Sequence, residues 1–253
     1  MAFKTRGEYY AELRAMRPNV WKNGRFIEDL VTDSSTRGLI ENEAYTYDLL
    51  QDPEHDGILK AKSSFSDDTV VRWHTLMKSP ADIMANGSLK RFLFNKIGTC
   101  QAGTCVGWNC FNVTWAVSYD IDKANGTDYH KRLENWLKGV EHKAYKIAGA
   151  LTDAKGDRSK SAGQQVNKDA AVHVKEVQPD GVIVSGTKTM IAHAAACHEI
   201  FVVPGTGYKE ADKEYAVAFV VPRDIEGLTI VQTDCSEGRE GWDDMKFGDQ
   251  ASY

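Results

Sequence analysis

VHVKEVQPDGVIVSGTK, residues 172–188, decides the fold class of the second half of this chain. Two β-branched runs flank the turn-forming triplet PDG, a pattern that is typical of a β-hairpin. Further runs of the same kind follow, separated by the turns PGTG and RDIEG: EIFVVP at 199–204, YAVAFVVP at 215–222 and LTIVQ at 228–232. The sequence after Leu151 therefore predicts a β domain.

The first 150 residues have a different pattern, mainly that of helices. Thr5 and Glu8 have capping-box spacing before an amphipathic stretch. Asn23-Gly24, between two short apolar pairs, predicts a small hairpin. Later in this half, Thr127 is the expected N-cap of a helix with one buried face, formed by Leu133, Trp136, Leu137 and Val140.

This change of pattern predicts an α+β protein of two domains. The N-terminal helical domain is expected at residues 1–150 and the β domain at 151–253. A chain of 253 residues is long enough to bury a substantial core in such an arrangement. No low-complexity linker separates the halves, so we expect a tight junction near residue 150.

The composition, with 42% hydrophobic and 26% charged residues, is that of a globular protein. The formal net charge is −5, with both signs interspersed, so there is no basic stripe for nucleic acid and no basic amphipathic helix for a membrane. The N-terminal stretch MAFKTRGEYYAELRAM is charged where a secretory signal is apolar. We therefore expect a cytoplasmic protein with reduced thiols and no nucleic-acid or membrane partner.

IGTCQAGTCVGWNCFN, residues 97–112, holds three of the chain's five cysteines, Cys100, Cys105 and Cys110. Residues five apart lie about 140° apart around an ideal helix. Cys100 and Cys105 can therefore converge on one metal only if the helix breaks, which Gly103 permits. Thiolates at this density suit iron–sulfur or zinc, although the spacing is not the CxxC of a zinc ribbon. Core packing is the other interpretation, since free cysteine is among the most buried residue types.

CVGWNCFNVTWAVSYDID at 105–122 and LTDAKGDR at 151–158, with DGVIVSGTK and EADKEYAVAFVVPRDIEGL further on, carry a family resemblance. The chain resembles the flavoprotein family that contains 4-hydroxybutyryl-CoA dehydratase and the 4-hydroxyphenylacetate 3-monooxygenases. This resemblance implies an acyl-CoA dehydrogenase-like fold with an N-terminal helical domain, a β-barrel-like middle domain and a C-terminal helical bundle. It also implies that the bundle is missing from these 253 residues.

The dehydratase branch of that family implies a [4Fe-4S] cluster, held by two cysteines ahead of a Val-Gly dipeptide and by a histidine and a cysteine of the C-terminal bundle. The matching residues here are Cys105 and Cys100, separated by four residues, QAGT, where the dehydratases have three. The hydroxylase branch has arginine and tyrosine at these positions, and a substrate-binding histidine near the position of Gly149. The dehydratase branch is therefore the better match.

Two further segments match positions that contact FAD in the family. In the first, the predicted FAD-binding residues are Leu151, Thr152, Lys155, Gly156, Asp157 and Arg158. In the second, which follows the strand ending in GTK, they are Ile191, Ala192 and His193. The residues alone allow a simpler interpretation, in which the first segment is a turn with Asp157 bonded to its own backbone and His193 is an ordinary histidine.

The resemblance implies an enzyme that removes water from a 4-hydroxyacyl-CoA, with FAD in a radical step and the cluster as Lewis acid. A flavin-dependent aromatic hydroxylase and a non-catalytic partner subunit are the alternatives. The catalytic residues are unknown, because no base is recognisable. FGDQASY, residues 247–253, is either an unfinished strand or a frayed terminus. In the first case we expect a second chain with the C-terminal helical domain, in a homo- or hetero-tetrameric assembly.

Overall fold

Within residues 3–98, 101–154 and 156–233, which the computed structural model describes, six α-helices and ten β-strands follow one another. The helices are α1 (Arg6–Ala15), α2 (Arg37–Leu50), α3 (Asp56–Leu59), α4 (Pro80–Ile97), α5 (Val106–Asn125) and α6 (Tyr129–Val140). The strands are β1 (Val20–Lys22), β2 (Arg25–Ile27), β3 (Lys60–Lys62), β4 (Thr69–Val71), β5 (Ile147–Ala150), β6 (His173–Gln178), β7 (Gly181–Ser185), β8 (Glu199–Val202), β9 (Phe219–Pro222) and β10 (Ile230–Gln232). None of these helices is both long and apolar enough to cross a lipid bilayer.

The strands pair into four small sheets. β5 runs parallel to β8, which is antiparallel to β9, and β1 lies between β2 and β10. β3 with β4 and β6 with β7 form two-stranded antiparallel pairs. The mixture of helix and sheet agrees with the expected α+β class. The expected β-barrel-like middle domain is wrong for the described residues, because its short strands do not join into one continuous ladder and no barrel closes among them.

Several local predictions are confirmed. The five strand-like runs of the second half form β6 to β10. Asn23 and Gly24 connect β1 to β2 with φ of 52° and 73°, the positive values that a two-residue type I′ hairpin turn requires. At α1, the Thr5 backbone N–H donates to the Glu8 carboxylate at 2.7 Å and the Glu8 N–H donates to the Thr5 hydroxyl at 3.3 Å, which completes the capping box.

The N-terminus of α6 differs from the prediction. The N-cap is Asp128 rather than Thr127, and its own side chain makes no capping hydrogen bond. Asp122, in the preceding helix, accepts hydrogen bonds from the N–H groups of Tyr129 at 3.0 Å and His130 at 2.8 Å. A carboxylate is a stronger acceptor than a hydroxyl, so the neighbouring helix supplies the cap. The predicted buried face of α6 is present in Leu133, Leu137 and Val140, with Trp136 partly buried.

The two halves of the chain share one core. Val20 in β1 faces Ile230 in β10, so a strand of the first half pairs with a strand of the second. The buried hydroxyl of Tyr9 donates to the carbonyl of Ala196 at 2.7 Å. β5, which ends at Ala150, pairs with β8. The division into domains at residue 150 stays a prediction.

Helix α5 and strand β5 approach each other at glycine on both sides. A Cβ atom on Gly107 of α5 would lie 1.8 Å from the carbonyl oxygen of Ile147. A Cβ on Gly149 of β5 would lie 2.5 Å from Cγ1 of Val106. Non-bonded atoms cannot come so close in a packed interior, so only glycine allows this contact. The start of α5 is thereby held directly against β5.

We expect Gly107→Ala to lower the free energy of unfolding by about 1–3 kcal/mol, because the added methyl group pushes α5 away from β5. Gly139 in α6 has open space where its Cβ would lie. Gly139→Ala should therefore raise the free energy of unfolding by about 0.5–1 kcal/mol. Urea unfolding of both variants beside the wild type measures the difference. Equal effects of the two substitutions would contradict the close contact.

Candidate functional site

The two segments predicted to contact FAD lie side by side. We call residues 151–158 the first loop and residues 188–193 the second loop. Asp153 and Lys188 form an isolated antiparallel bridge between them. The backbone N–H of Thr189 also donates to the carbonyl of Thr152 at 2.8 Å. Two segments that are distant in the sequence therefore form one continuous surface.

Lys188 anchors the first loop. Its ammonium nitrogen lies 2.6 Å from the Asp153 carboxylate and donates to the carbonyls of Leu151 at 3.0 Å and Val203 at 2.8 Å. The side chains of Lys188 and Asp153 are both largely buried, so solvent screens this ion pair only weakly. Neither residue is recognisable from the sequence as part of the site. A lysine at the end of a strand pattern gives no sign of which loop it will contact.

The surface formed by the two loops is partly apolar. Leu151 is 45% exposed and Met190 is 62% exposed, and Ile191 is half-buried beside Met190. Arg158 is exposed and makes no hydrogen bond or ion pair with any other residue in the described part of the chain. An exposed apolar surface, with an exposed guanidinium further along the first loop, has the two kinds of group that a ligand with a flat ring and a phosphate requires.

Gln165 holds the far end of the first loop. Its side-chain oxygen accepts from the Asp157 N–H at 3.0 Å, and its amide group donates to the Asp157 carbonyl at 2.8 Å. A Cβ on Gly156 would lie 2.2 Å from that side-chain oxygen. The Asp157 carboxylate accepts from the N–H and hydroxyl of Ser159, at 3.0 and 2.6 Å. Asp157 thus forms the local turn that the residues alone suggested, with its carboxylate bonded to nearby backbone. Contact of the first loop with FAD stays a prediction. Lys155 lies outside the described residues.

His193, at the end of the second loop, is buried. Its backbone is left-handed, with φ of 58°. Its imidazole Nδ1 lies 2.7 Å from Oε1 of Glu43 in α2. This environment agrees with the interpretation of His193 as a satisfied interior histidine. A direct contact of His193 or of Ala192 with FAD stays a prediction.

Glu43 is the centre of a buried charged cluster beneath the second loop. Its second carboxylate oxygen lies 3.2 Å from Nζ of Lys146, and both side chains are 0% exposed. The Lys146 ammonium also lies 4.6 Å from the ring centre of Trp73 and 5.3 Å from that of Tyr47. Burial raises the pKa of Glu43, but Lys146 and His193 outweigh it and hold that pKa below its ordinary value. The carboxylate is therefore ionised at neutral pH.

The segment with the predicted cluster ligands lies between two helices. α4 ends at Ile97, a 3₁₀ turn spans Ala102–Thr104, and Cys105 is the N-cap of α5. The helical conformation is therefore interrupted between α4 and α5, as the convergence of Cys100 and Cys105 on one metal requires. Cys105 is half-buried, whereas Cys100 lies outside the described residues. Within the described ranges, no group of three or more histidine, cysteine, aspartate or glutamate side chains is placed to hold a metal.

Gln101 ties this segment, which we call the cysteine loop (residues 101–105), to the buried charged cluster. Its side-chain oxygen accepts from the Thr46 hydroxyl at 2.6 Å and from the Lys146 ammonium at 3.4 Å. Its amide group donates to the carbonyl of Asn42 at 2.7 Å. Neither Gln101 nor Glu43 was singled out from the sequence, because a polar residue on a helix or loop looks solvent-exposed until its face is known.

The other described cysteines are core residues. Cys110 and Cys197 are both buried. Burial raises the pKa of the Cys110 thiol to about 11 and that of Cys197 well above its ordinary value. Both stay protonated at neutral pH, whereas a metal ligand must be a thiolate. Cys235 lies outside the described residues.

Comparison with known proteins identifies relatives along almost the whole chain. Residues 5–250 match the family described as 4-hydroxyphenylacetate 3-hydroxylase N terminal. The 4-hydroxybutyryl-CoA dehydratase/vinylacetyl-CoA-Delta-isomerase of Clostridium aminobutyricum is 32% identical over 98% of this chain and 49% of its own length. The oxygenase component of 4-hydroxyphenylacetate 3-monooxygenase of Thermus thermophilus is 23% identical over 95% of this chain and 48% of its own. The chain spans about half the length of these relatives.

Solved structures agree with the sequence relatives. An oxygen-tolerant 4-hydroxybutyryl-CoA dehydratase from N. maritimus matches with a TM-score of 0.86 at 31% identity, over 91% of this chain and 46% of that one. The oxygenase component of 4-hydroxyphenylacetate 3-monooxygenase complexed with FAD matches with a TM-score of 0.77 at 20% identity, over 98% of this chain and 51% of that one, and so shares the fold. The family match, the dehydratase identity and the common fold together show that this chain belongs to the 4-hydroxyphenylacetate 3-hydroxylase N-terminal family.

Proposed function

We propose that this chain is the cofactor-binding part of an enzyme that removes water from a 4-hydroxyacyl-CoA, with FAD and a [4Fe-4S] cluster as cofactors. The observation that carries the proposal is the pairing of the first and second loops, because the family resemblance implies FAD contact for both. The dehydratase relative is also more similar to this chain than the T. thermophilus monooxygenase is, at 32% against 23% identity.

The residues of the two loops have the chemistry that FAD requires. Leu151 and Ile191 offer apolar contacts to a flat ring, and the Thr152 hydroxyl offers a hydrogen bond at its edge. The exposed guanidinium of Arg158 offers charge-assisted hydrogen bonds to a phosphate, and Lys155 has the same charge. Bound FAD supplies the redox chemistry for removing a hydrogen that no carbonyl group acidifies.

Cys105 is the proposed cluster ligand among the described residues. It lies at the N-terminus of α5, where the helix dipole favours negatively charged groups such as a thiolate. Cys100 is the proposed second ligand, and the remaining ligands come from polypeptide beyond the described residues. Such a cluster would supply Lewis acidity toward a departing hydroxyl group.

A flavin-dependent aromatic hydroxylase is the second candidate. The description of the family and the monooxygenase relatives support it. In that case Cys105 has no metal to hold, and the enzyme contains flavin without iron. The iron content therefore distinguishes the two candidates.

The proposed enzyme needs a further helical polypeptide, in line with a chain that spans about half the length of its relatives. Val113, Val117 and Ile121 form an exposed apolar stripe along α5, at i, i+4 and i+8. Such a stripe is unfavourable in water and is typical of a surface that another helix covers. We propose that the helical polypeptide covers this stripe, completes the acyl-CoA pocket and makes the contacts of a tetramer.

Removing Arg158 tests the FAD site. We expect Arg158→Ala to weaken FAD binding roughly 10- to 100-fold, through loss of a charge-assisted hydrogen bond of about 1.5–3 kcal/mol. Thr152→Val should weaken binding less, because it removes a neutral hydrogen bond. Lys160→Ala is the control, since Lys160 is an exposed cation that already pairs with Asp157. Flavin fluorescence titration measures the dissociation constants. Unchanged affinity in both Arg158→Ala and Thr152→Val would exclude these residues from the site.

Iron analysis tests the cluster. We expect Cys105→Ala, purified anaerobically, to lose most of the iron and sulfide of the wild type, because one thiolate ligand is removed. Cys110→Ala is the control, since its buried thiol in the same helix stays protonated. Cys100→Ala should lose iron as well if four intervening residues still allow both cysteines to reach the cluster. Equal iron in wild type and Cys105→Ala would remove Cys105 from the ligand set.

Native mass spectrometry tests the partner. We expect the 28.1 kDa chain to bind a helical polypeptide of similar size in a one-to-one ratio. Val117→Asp should prevent this association, because it places a charge in the apolar stripe. Val166→Asp is the control, since Val166 is 98% exposed and lies outside the stripe. Finding the chain alone and active on a hydroxyacyl-CoA would refute the need for a partner.

A further inference from the structure

One carboxylate connects three distant parts of the chain. Glu43 lies in α2, and its side chain contacts His193 of the second loop at 2.7 Å and Lys146 at 3.2 Å. Lys146 directly precedes β5, the strand that leads into the first loop. All three side chains are buried. Glu43 is therefore in contact with the second loop and with the residue that precedes β5.

Lys146 in turn supports the cysteine loop. Its ammonium group donates to the Gln101 side chain at 3.4 Å. A Cβ on Gly103 would lie 2.8 Å from Cβ and 2.9 Å from Cδ of Lys146, so the loop backbone packs directly on the lysine stem. The same lysine is thus in contact with Glu43 on one side and with the cysteine loop on the other.

Breaking any one of these contacts is expected to disturb the others. A buried carboxylate that loses its ammonium partner is left as an uncompensated charge in the interior, which is strongly unfavourable. His193 also keeps a left-handed backbone that is uncommon for a residue with a side chain, and the hydrogen bond to Glu43 holds it there. Movement of the second loop would therefore disturb Lys146 and, through it, the cysteine loop.

We infer that Glu43 and Lys146 are a positioning pair that fixes the second loop and the cysteine loop relative to each other. The importance of this pair for activity rests on the proposed function, because the second loop and the cysteine loop are the proposed contacts of FAD and of the cluster. Neither residue is proposed to touch substrate or cofactor. Their role is to hold the two loops at a constant separation.

The Glu43–Lys146 pair could instead serve only to neutralise two buried charges. A double variant that removes both charges distinguishes this role from the positioning of the loops. Glu43→Leu alone should destabilise the protein, because it leaves the Lys146 ammonium buried without its partner. Glu43→Leu/Lys146→Met replaces the pair with apolar side chains of similar volume, which is often neutral or stabilising. If the pair serves only to balance charge, amide hydrogen exchange at the cysteine loop and FAD binding should be the same in the double variant as in the wild type.

The test compares the double variant with the wild type in the purified assembly. We expect a thermal midpoint somewhat below that of the wild type, because buried His193 loses its hydrogen-bond partner. We also expect amide hydrogen exchange in the second loop and the cysteine loop to be roughly tenfold faster, because local opening there is no longer restrained. We also expect FAD binding to weaken roughly tenfold and the flavin absorption bands to shift. Glu141→Gln is the control, since that buried carboxylate bonds to Ser63 and Ser64 rather than to either loop.

Unchanged exchange at both loops in the double variant would overturn the positioning role. The exchange measurement needs no cofactor, so it decides this inference even in a preparation without FAD or iron. Absence of both cofactors from the anaerobic wild type would instead refute the proposed function. The two failures are therefore distinguishable.

Discussion

The contact between α5 and β5 sets the geometry of the candidate site. Gly107 and Gly149 allow helix and strand to meet backbone to backbone. Cys105 directly precedes this helix, and Leu151 directly follows this strand. Cys105 and the first loop thus each adjoin one of the two elements that meet in this contact. The two glycines therefore help to set the separation between Cys105 and the first loop.

Local rules were enough to predict the elements whose causes are local. The hairpin at Asn23-Gly24 and the capping box at Thr5 depend on residues within a few positions of one another, and both are present. Thr127 failed as a cap because Asp122 of the preceding helix takes its place. The barrel-like arrangement also failed, because strand pairing depends on contacts between remote segments.

In the candidate site, too, contacts between remote segments could not be predicted from the sequence. The resemblance identified the first and second loops, but not the side chains that hold them. Lys188, Gln165 and Glu43 each act on a loop from outside it, at positions where the sequence suggests only an ordinary polar residue. Which face of α2 is buried, and therefore that Glu43 is an interior charge, follows only from the packing of the second half against the first.

The pairing of β1 with β10 has a consequence for how the chain is made. Ile230 follows Val20 by about 210 residues, so the β1–β2 hairpin is synthesised well before the strand that pairs with its edge. Until then the β1–β2 hairpin exposes an unpaired edge, which is a site of misassociation during translation. Contacts between such remote segments form slowly, because a long loop must close first. Pairing of β1 with β10 is therefore expected to be a late step in the folding of this chain.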